Sequence, residues 1–278
     1  MSLLNIKEYV QNQKHYLANT IEKIAEEYGE EEIPKLIIIQ VGDNPASNAY
    51  IKGKLADCAE VGIKAELKKF SEDISEDSLL KIIGALNKDD SVTGFIVQLP
   101  LPKHIHEWKI TEAIDPAKDV DGFSKRALVN PATPQGIVDY LDLSGVYTRD
   151  INAVVIGRSN IVGRPIARLL LDRDCNVKVI HSKTSEANKA IALRNADLIV
   201  VATGHRNTLT DEDLVNWVNP DCLIIDVGMN RNDEGKLCGD CENVTVCEKT
   251  PVPGGVGLLT RIALLYNLMK LYNIKYQN

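Results

Sequence analysis

The chain lacks the features that mark secreted, membrane-spanning and nucleic-acid-binding proteins. Residues 1–8 contain no basic stretch followed by an apolar core, so we expect no secretion signal. No apolar run is long enough to cross a bilayer, so no membrane partner is expected. The formal net charge of −7 opposes sequence-independent nucleic-acid binding, which needs a cationic surface. We therefore expect a cytoplasmic protein without a nucleic-acid partner, although a local positive pocket could still hold a small anion.

The cysteines do not form a pattern that predicts a metal centre. Cys238-Gly-Asp-Cys241 is a C-x-x-C pair with Cys247 nearby, but no second pair and no paired histidines complete a zinc site. A redox pair normally opens a helix, whereas residues 236–243 are typical of a turn and a short strand. We interpret these residues as thiols with no metal or redox role.

Alternating strand and helix patterns predict a two-domain α/β protein with parallel sheets. A chain of 278 residues that is 44% hydrophobic suits two cores. Apolar runs predict strands at 36–41, 94–98, 153–156, 175–180, 197–204 and 222–228, and a further short strand is expected at 65–70. Helical patterns cover 5–28, 47–62, 75–86, 107–113, 136–143, 166–171 and 258–272, and Ser47 and Ser75 are candidate N-caps. We expect a parallel α/β domain at 1–118 and 260–278, on which the C-terminal helix packs, and a Rossmann-like domain at 119–259.

The clearest binding motif is the strand–turn–helix pattern at 153–171. An apolar β-branched run ends at Gly157, and Gly163 precedes a helical pattern. A glycine turn before a helix lets backbone N–H groups approach a phosphate. Position 159 is Ser159 and not glycine, so the pattern departs from G-x-G-x-x-G, and an ordinary turn of a parallel sheet is the alternative.

The strand that follows this motif favours NADP over NAD. In NAD sites the tip of that strand usually carries an Asp or Glu that binds the ribose 2′-hydroxyl. Here the tip is His181-Ser-Lys-Thr184, and Arg158 lies in the first turn. Such groups would bind a 2′-phosphate, which a carboxylate would repel.

Polar residues outside that unit are candidates for catalysis or substrate binding. Tyr50 and Lys54 share one helix face because they are four residues apart. Gln98 ends an apolar strand, which holds its amide at a sheet edge. Asp119 and Asp121 precede a glycine and could bind a cation, cap backbone N–H groups or accept hydrogen bonds from a ligand. Each also has an ordinary structural interpretation: a solvated lysine beside a half-buried tyrosine, a polar strand end, and a capped turn.

Five motifs together resemble one family over nearly the whole chain. In the family's order they are Tyr50-x-x-x-Lys54, Val97-Gln-Leu-Pro-Leu-Pro102, Lys118-Asp-Val-Asp-Gly122, Gly157-Arg-Ser-x-Ile-Val-Gly-Arg-Pro165 and Thr250-Pro-Val-Pro-Gly-Gly-Val-Gly257. The family is the bifunctional methylenetetrahydrofolate dehydrogenase/methenyltetrahydrofolate cyclohydrolase. The resemblance implies NADP-dependent oxidation of 5,10-methylenetetrahydrofolate, then hydrolysis to 10-formyltetrahydrofolate. It also implies tetrahydrofolate derivatives as ligands of a folate/catalytic domain, NADP as cofactor of the Rossmann-like domain, and a homodimer.

The resemblance also assigns roles to single residues. Lys54 matches the catalytic lysine, Tyr50 its neighbouring tyrosine, and Gln98 the glutamine that hydrogen-bonds this lysine. Asp121 matches the aspartate that holds the pterin ring. The further substrate contacts that it implies are Leu99, Pro100, Pro253, Gly254 and Gly255. The NADP contacts that it implies are Gly157, Arg158, Ser159, Ile161, Ser182, Thr203, Gly204 and Met229.

Some positions depart from the family pattern. Ala132 replaces a common cysteine, Leu258-Leu259-Thr260 replaces a common Pro-Met-Thr, and Asn160 replaces a frequent lysine that would contact cofactor phosphates. None alters Lys54, so both activities are expected. The alternatives are a dehydrogenase with weak or lost cyclohydrolase activity, a shikimate-type NADP oxidoreductase, and a non-catalytic NADP- or folate-binding module.

Overall fold

The structure is a computed structural model that describes residues 5–146, 148–214, 219 and 221–276. The chain divides into two compact units. Within the described residues, the three-stranded unit comprises Gln11–Ala132 and Arg261–Asn278, and the five-stranded unit comprises Met1–Val10 and Thr133–Thr260. The predicted two-domain α/β fold with parallel sheets is confirmed. The domain boundaries predicted at 118/119 and 259/260 stay a prediction, and residues 1–4 of the predicted N-terminal segment lie outside the description.

The helices and strands follow the predicted alternation. The helices are α1 (Ile6–Tyr28), α2 (Pro45–Val61), α3 (Glu76–Asn87), α4 (Glu107–Ala113), α5 (Ala132–Leu143), α6 (Gly163–Leu171), α7 (Glu186–Leu193), α8 (Asp211–Leu214) and α9 (Val256–Tyr276). The strands are β1 (Lys35–Val41), β2 (Lys64–Phe70), β3 (Gly94–Val97), β4 (Asn152–Ile156), β5 (Asn176–Ile180), β6 (Leu198–Val201), β7 (Leu223–Asp226), β8 (Asn230–Arg231), β9 (Leu237–Cys238) and β10 (Glu248–Lys249). Within the described part of the chain, no helix combines the length and apolar character needed to cross a membrane.

Strand β1 is the centre of the three-stranded unit, whose parallel order is β2-β1-β3. Residues 36–41 of β1 are all buried, as expected for a strand covered on both faces. Ile37 and Phe95 on the sheet share a core cluster with Leu79 of α3 and Ile110 of α4. The sheet therefore sets the position of Gln98, which directly follows β3.

Helix α2 begins upstream of its predicted cap, Ser47. The Asn44 Oδ1 atom instead accepts hydrogen bonds from the backbone N–H groups of Ala46 at 2.9 Å and Ser47 at 3.2 Å. Pro45 suits the first helical position because its missing N–H would have no partner there. The helix ends at Gly62, whose φ of 81° is left-handed.

The sheet of the five-stranded unit has the parallel order β10-β7-β6-β4-β5. Adjacent residues of β4 face opposite sides, so Val155 joins the core cluster that includes α5 and α6, and Val154 joins the cluster that includes α7 and α8. The chain runs from β4 through α6 to β5 on one side and then through α7 to β6 on the other. This reversal creates a crevice at the carboxyl ends of the strands, the usual ligand position in open α/β sheets.

The C-terminal helix α9 packs within the three-stranded unit from Arg261 onward. The buried Asn267 amide donates hydrogen bonds to the carbonyl oxygens of Val120 at 3.0 Å and Asn130 at 2.9 Å. These bonds attach the helix to the loop that carries Asp121. The Tyr266 hydroxyl of α9 also donates to Gln13 Oε1 at 2.6 Å, and the helix from Arg261 onward groups with residues 11–132, so the predicted packing of the C-terminal helix on the first domain is confirmed.

Candidate active site

Lys54 and Gln98 form a direct contact in the three-stranded unit. The Lys54 side chain is only 6% exposed, and its Nζ donates a hydrogen bond to Gln98 Oε1 at 3.1 Å. The Gln98 amide nitrogen donates to the Leu99 carbonyl oxygen at 2.8 Å, which turns the amide oxygen toward the lysine. The Gln98 backbone N–H donates to Ile39 of β1 at 2.9 Å, so the sheet fixes this residue. The peptide bond between Leu99 and Pro100 is cis.

The Lys54 ammonium lies in an environment that disfavours its charge. Burial lowers the pKa of Lys54 below its ordinary value, and the carboxylate of Asp121 opposes this shift. A lysine with a lowered pKa can accept and return a proton closer to neutral pH than an exposed lysine can.

Asp119 fixes the turn that carries Asp121. Its almost fully buried carboxylate accepts hydrogen bonds from the N–H groups of Gly122 at 3.0 Å and Ser124 at 2.8 Å. Gly122 has a φ of 70°, and a Cβ there would lie 2.7 Å from the Asn130 backbone. Of the uses left open for the two aspartates, turn capping therefore belongs to Asp119.

The Asp121 carboxyl is not used in that turn and is electrostatically coupled to Lys54. Burial raises the pKa of Asp121 to about 6, while Lys54 lowers it and Asp119 raises it. This carboxyl is therefore mostly ionised at neutral pH and titrates in the weakly acidic range.

Tyr50 lies on α2 one turn before Lys54 and is partly buried. Burial raises the pKa of the Tyr50 phenol, and Arg261 of α9 opposes that shift. The hydroxyl therefore stays protonated at neutral pH.

The predicted phosphate turn in the five-stranded unit is tightly packed. Gly157 has a φ of 122°, and a Cβ there would collide with the Ala202 carbonyl oxygen. A Cβ on Gly163 would lie 2.6 Å from the Gly157 carbonyl oxygen. Ser159 Oγ accepts the N–H groups of Val162 and Gly163, each at 3.2 Å, so the serine in the middle of the motif stabilises the turn before α6.

The other predicted cofactor contacts occupy the same edge of this sheet. Arg158 and Ile161 follow β4, Ser182 follows β5, Thr203 and Gly204 follow β6, and Met229 follows β7. Because the strands are parallel, their carboxyl ends meet at one edge. The structure therefore brings the predicted nucleotide residues to one edge, where Arg158, Ile161, Ser182, Gly204 and Met229 are exposed.

Two buried aspartates that support this edge were missed from the sequence. The Asp240 carboxylate, fully buried, accepts the backbone N–H groups of Thr203 at 2.8 Å and Gly204 at 2.9 Å, and the Asn230 amide at 2.8 Å. Asp226, at the end of β7, in turn accepts the N–H of Asp240 at 2.9 Å. Asp240 therefore holds the loop after β6 to the β8–β9 hairpin.

Glycines beside these aspartates are the signal that could have revealed them. A Cβ on Gly228 would collide with Asp240, and a Cβ on Gly239 would collide with Asp226. Asp-x-Gly and Gly-Asp sequences after predicted strands thus mark close approach of backbone and carboxylate.

The predicted substrate residues Pro253, Gly254 and Gly255 lie in the five-stranded unit, in the loop before α9. The bond between Val252 and Pro253 is cis, and Gly254 has a φ of 95°. A Cβ on Gly255 would collide with the Pro251 carbonyl oxygen. The shape of this loop therefore requires glycine at both positions.

Both cysteines of the C-x-x-C pair lie in surroundings that disfavour the reactive thiolate. Cys238 and Cys241 are both buried, and burial is the main cause that raises the pKa of each thiol. Among the residues that the structure describes, no group of three or more His, Cys, Asp or Glu side chains could hold a metal ion.

Comparison with known proteins identifies the family. Residues 4–121 match the tetrahydrofolate dehydrogenase/cyclohydrolase catalytic domain, and residues 131–276 match the NAD(P)-binding domain of the same family. A protein of Paracidovorax citrulli (strain AAC00-1), named bifunctional protein FolD, is 48% identical over 250 residues, which cover 85% of this chain and 86% of the relative.

Solved structures agree with this match. The bifunctional enzyme FolD, methylenetetrahydrofolate dehydrogenase/cyclohydrolase, from Campylobacter jejuni is 38% identical, with a TM-score of 0.89 over 99% of each chain. The Trypanosoma brucei N5,N10-methylenetetrahydrofolate dehydrogenase-cyclohydrolase, complexed with NADP cofactor and inhibitor, is 26% identical, with a TM-score of 0.89 over 100% of this chain and 99% of that chain. This chain belongs to the tetrahydrofolate dehydrogenase/cyclohydrolase family.

Proposed function

We propose that this protein oxidises 5,10-methylenetetrahydrofolate to 5,10-methenyltetrahydrofolate with NADP and then hydrolyses the product to 10-formyltetrahydrofolate. The observation that carries the proposal is the buried Lys54 ammonium bound to the Gln98 amide oxygen at 3.1 Å. Family membership supports both reactions. The lowered pKa of Lys54 suits a step that moves protons near neutral pH.

Asp121 is the proposed anchor for the pterin ring. A pterin presents an amino group and a ring N–H side by side, and one ionised carboxylate can accept both. Asp119 holds the turn that carries Asp121, which is itself partly buried. The remaining proposed substrate contacts are Tyr50, Gln98, Leu99, Pro100, Pro253, Gly254 and Gly255.

The five-stranded unit is the proposed cofactor site. The collisions that a Cβ would cause at Gly157 and Gly163 indicate a compact turn, which supports the proposal that its backbone N–H groups bind a pyrophosphate. Arg158 and Ser182, both exposed, are the proposed ligands of the 2′-phosphate. The remaining proposed contacts are Ser159, Ile161, Thr203, Gly204 and Met229. When bound, NADP supplies the hydride acceptor for the first step, and the chain contributes alignment.

The second step is the addition of water to the methenyl carbon. A C–O bond forms, the bond from that carbon to N5 breaks, N5 gains a proton, and one proton is released overall. We assign the proton transfers to Lys54, which in its neutral form takes a proton from the attacking water. Gln98 holds the lysine in place through its amide oxygen, and Tyr50, one helical turn earlier on α2, is the third proposed catalytic residue.

The first test measures the two reactions separately with purified protein. Cofactor reduction is followed with methylenetetrahydrofolate and either NADP or NAD, and loss of methenyl absorbance is followed with methenyltetrahydrofolate alone. We expect faster reduction of NADP than of NAD, and hydrolysis without any cofactor. Reduction with persistent methenyl product would show a dehydrogenase that lacks the second activity, and no reduction with either cofactor would refute the assignment.

A homodimer is also proposed, with strand β5 at its interface. β5 is an edge strand of its sheet, and its residue Val179 is 40% exposed, while Leu171 of α6 and Ile191 of α7 are 57% and 58% exposed. Two copies can pair such edges in antiparallel fashion across a twofold axis. Light scattering after size exclusion should show a dimer that Val179→Lys disrupts and that Val246→Lys, an exposed control, leaves intact. A monomeric wild type at micromolar concentration would contradict this.

The cytoplasm is the proposed location. Cys58, Cys175, Cys222, Cys238, Cys241 and Cys247 are all free thiols. Unpaired cysteines are typical of a reducing compartment. Microscopy of a fluorescent fusion would test the location, and a signal confined to a membrane or to the exterior would contradict it.

A further inference from the structure

An arginine from α9 crosses the helix that carries Tyr50 and Lys54. The Arg261 Nε atom lies 2.9 Å from Asp57 Oδ2 without the alignment of a hydrogen bond. Its Nη1 atom passes over Gly53, where a Cβ would collide with it. The guanidinium therefore runs along α2 from Asp57 past Gly53 toward Tyr50, which lies one turn earlier.

Much of the negative charge near this arginine is shared with another cation. Lys14 Nζ lies 2.6 Å from Asp57 Oδ1 and 2.7 Å from Glu60 Oε2. Asp57 is buried. Its Oδ1 atom pairs with Lys14, and its Oδ2 atom faces Arg261. The Arg261 side chain is 24% exposed although its Nε atom is buried, so solvent reaches the side chain elsewhere than at Nε.

The side chains of the candidate active site form a series, in which each member acts on or lies near the next. Asp121 acts on the charge of Lys54, Tyr50 is one helical turn from Lys54, and Arg261 acts on the charge of Tyr50. A tetrahydrofolate carries, in order, a pterin, the one-carbon bridge, a benzoyl ring and an anionic glutamate. With the pterin at Asp121 and the bridge at Lys54, the benzoyl ring meets Tyr50 and the glutamate reaches Arg261.

We propose that Arg261 binds a carboxylate of the glutamate tail of the folate substrate. The assignment rests on the proposed function and deepens it, because it names the substrate group that this side chain selects. A guanidinium binds a carboxylate through parallel N–H donors, which gives both direction and charge complementarity. Gly53 makes room for that orientation, and Asp57 holds the inner end of the side chain.

The test compares two methenyl substrates that differ only in the tail. One is 5,10-methenyltetrahydrofolate, and the other is the corresponding tetrahydropteroate, which lacks glutamate. We expect Arg261→Leu to raise KM roughly tenfold or more for the glutamate-bearing substrate, as for loss of one charge-assisted bond, with kcat little changed. KM for the truncated substrate should stay within about twofold of wild type, since a tail-less substrate has no carboxylate for Arg261 to bind.

Matched variants distinguish a role of Arg261 in substrate binding from a purely structural role in holding α9 to α2. Gly53→Ala favours the helix but displaces the guanidinium, so the same selective rise in KM is expected. Arg261→Lys should restore part of the affinity, and Arg149→Leu, an arginine 70% exposed in the five-stranded unit, should match wild type. If Arg261→Leu does not fold, wild type alone must still prefer the glutamate-bearing substrate at least about tenfold in KM.

The possible outcomes distinguish this assignment from the function on which it rests. Equal losses on both substrates, or no preference of wild type for the tail, would overturn the role of Arg261 while leaving the reaction intact. An inactive wild type would overturn the proposed function and this assignment together. A selective loss confined to the glutamate-bearing substrate would establish it.

Discussion

The titration of Asp121 should control folate binding in the weakly acidic range. Its pKa is raised to about 6 because the carboxyl is buried, so falling pH protonates it and removes an acceptor from the pterin site. From this value, roughly nine-tenths of the carboxyl is ionised at pH 7 and roughly one-tenth at pH 5. We therefore expect kcat/KM for methylenetetrahydrofolate to fall close to tenfold over that interval.

The dehydrogenase reaction is the right assay because it does not use Lys54 as a base. Initial rates of NADP reduction are measured at limiting folate between pH 5 and pH 8, where kcat/KM reports ionisations of the free enzyme. Asp121→Asn should lower kcat/KM about tenfold or more at pH 7, since a hydrogen bond to a charged group contributes about 1.5–3 kcal/mol. The same variant should lose the acid limb of the profile.

An exposed aspartate is the matched control. Asp77 in the first turn of α3 is exposed, and Asp77→Asn should reproduce the wild-type profile. A flat wild-type profile, or an acid limb that persists in Asp121→Asn, would refute the reasoning that links burial of this carboxyl to substrate binding.

Three further predictions concern the lysine, the cofactor site and the fold. Lys54→Met should reduce methenyl hydrolysis about a hundredfold, within the usual range for loss of an acid–base group, while NADP binding survives. The control is Lys52→Met, at an exposed lysine of the same helix, which should match wild type. Normal hydrolysis in Lys54→Met would remove this residue from the mechanism. Ser182→Asp should shift the ratio of kcat/KM values away from NADP and toward NAD because a carboxylate repels the 2′-phosphate, and an unchanged ratio would mean that the tip of β5 does not contact the cofactor. Asn44→Ala should lower the free energy of unfolding by about 1 kcal/mol, as expected for a lost N-cap, with chemical denaturation as the measurement and an unchanged midpoint as the contrary result.

Local signals in the sequence predicted most of the scaffold. The sequence patterns located seven of the parallel strands, β1 to β7, and the signal is clearest for the fully buried β3, β6 and β7, because such strands need continuous apolar residues. The two-residue parallel strand β10, Glu248–Lys249, has no apolar run and was not predicted. Ser75 was a correct cap, since its Oγ accepts the Ser78 N–H at 3.2 Å. Ser47 was a wrong one, because Pro45 fits the first helical position and moves the start of α2 upstream to the cap Asn44.

Contacts between distant parts of the chain were beyond those signals. The glycines near Asp240 indicate close packing, but no local pattern identifies Thr203 and Gly204, far earlier in the chain, as the residues whose N–H groups its carboxylate accepts. Arg261 gave no pattern either, because its partner Asp57 lies on another helix. The contact between Lys54 and Gln98 was predicted only through family resemblance, and the structure confirms it at 3.1 Å.

The position of Gln98 one residue after β3 makes cyclohydrolase activity a report on strand register. β3 pairs with β1 from Gly94 opposite Leu36 to Val97 opposite Ile39, and the Gln98 N–H continues that ladder. A slip of one residue would turn every side chain of β3 to the other face of the sheet and carry the amide away from the lysine. Misregistered chains would thus be compact but silent in the hydrolysis assay, so specific activity measures the fraction of molecules whose sheet is correctly aligned.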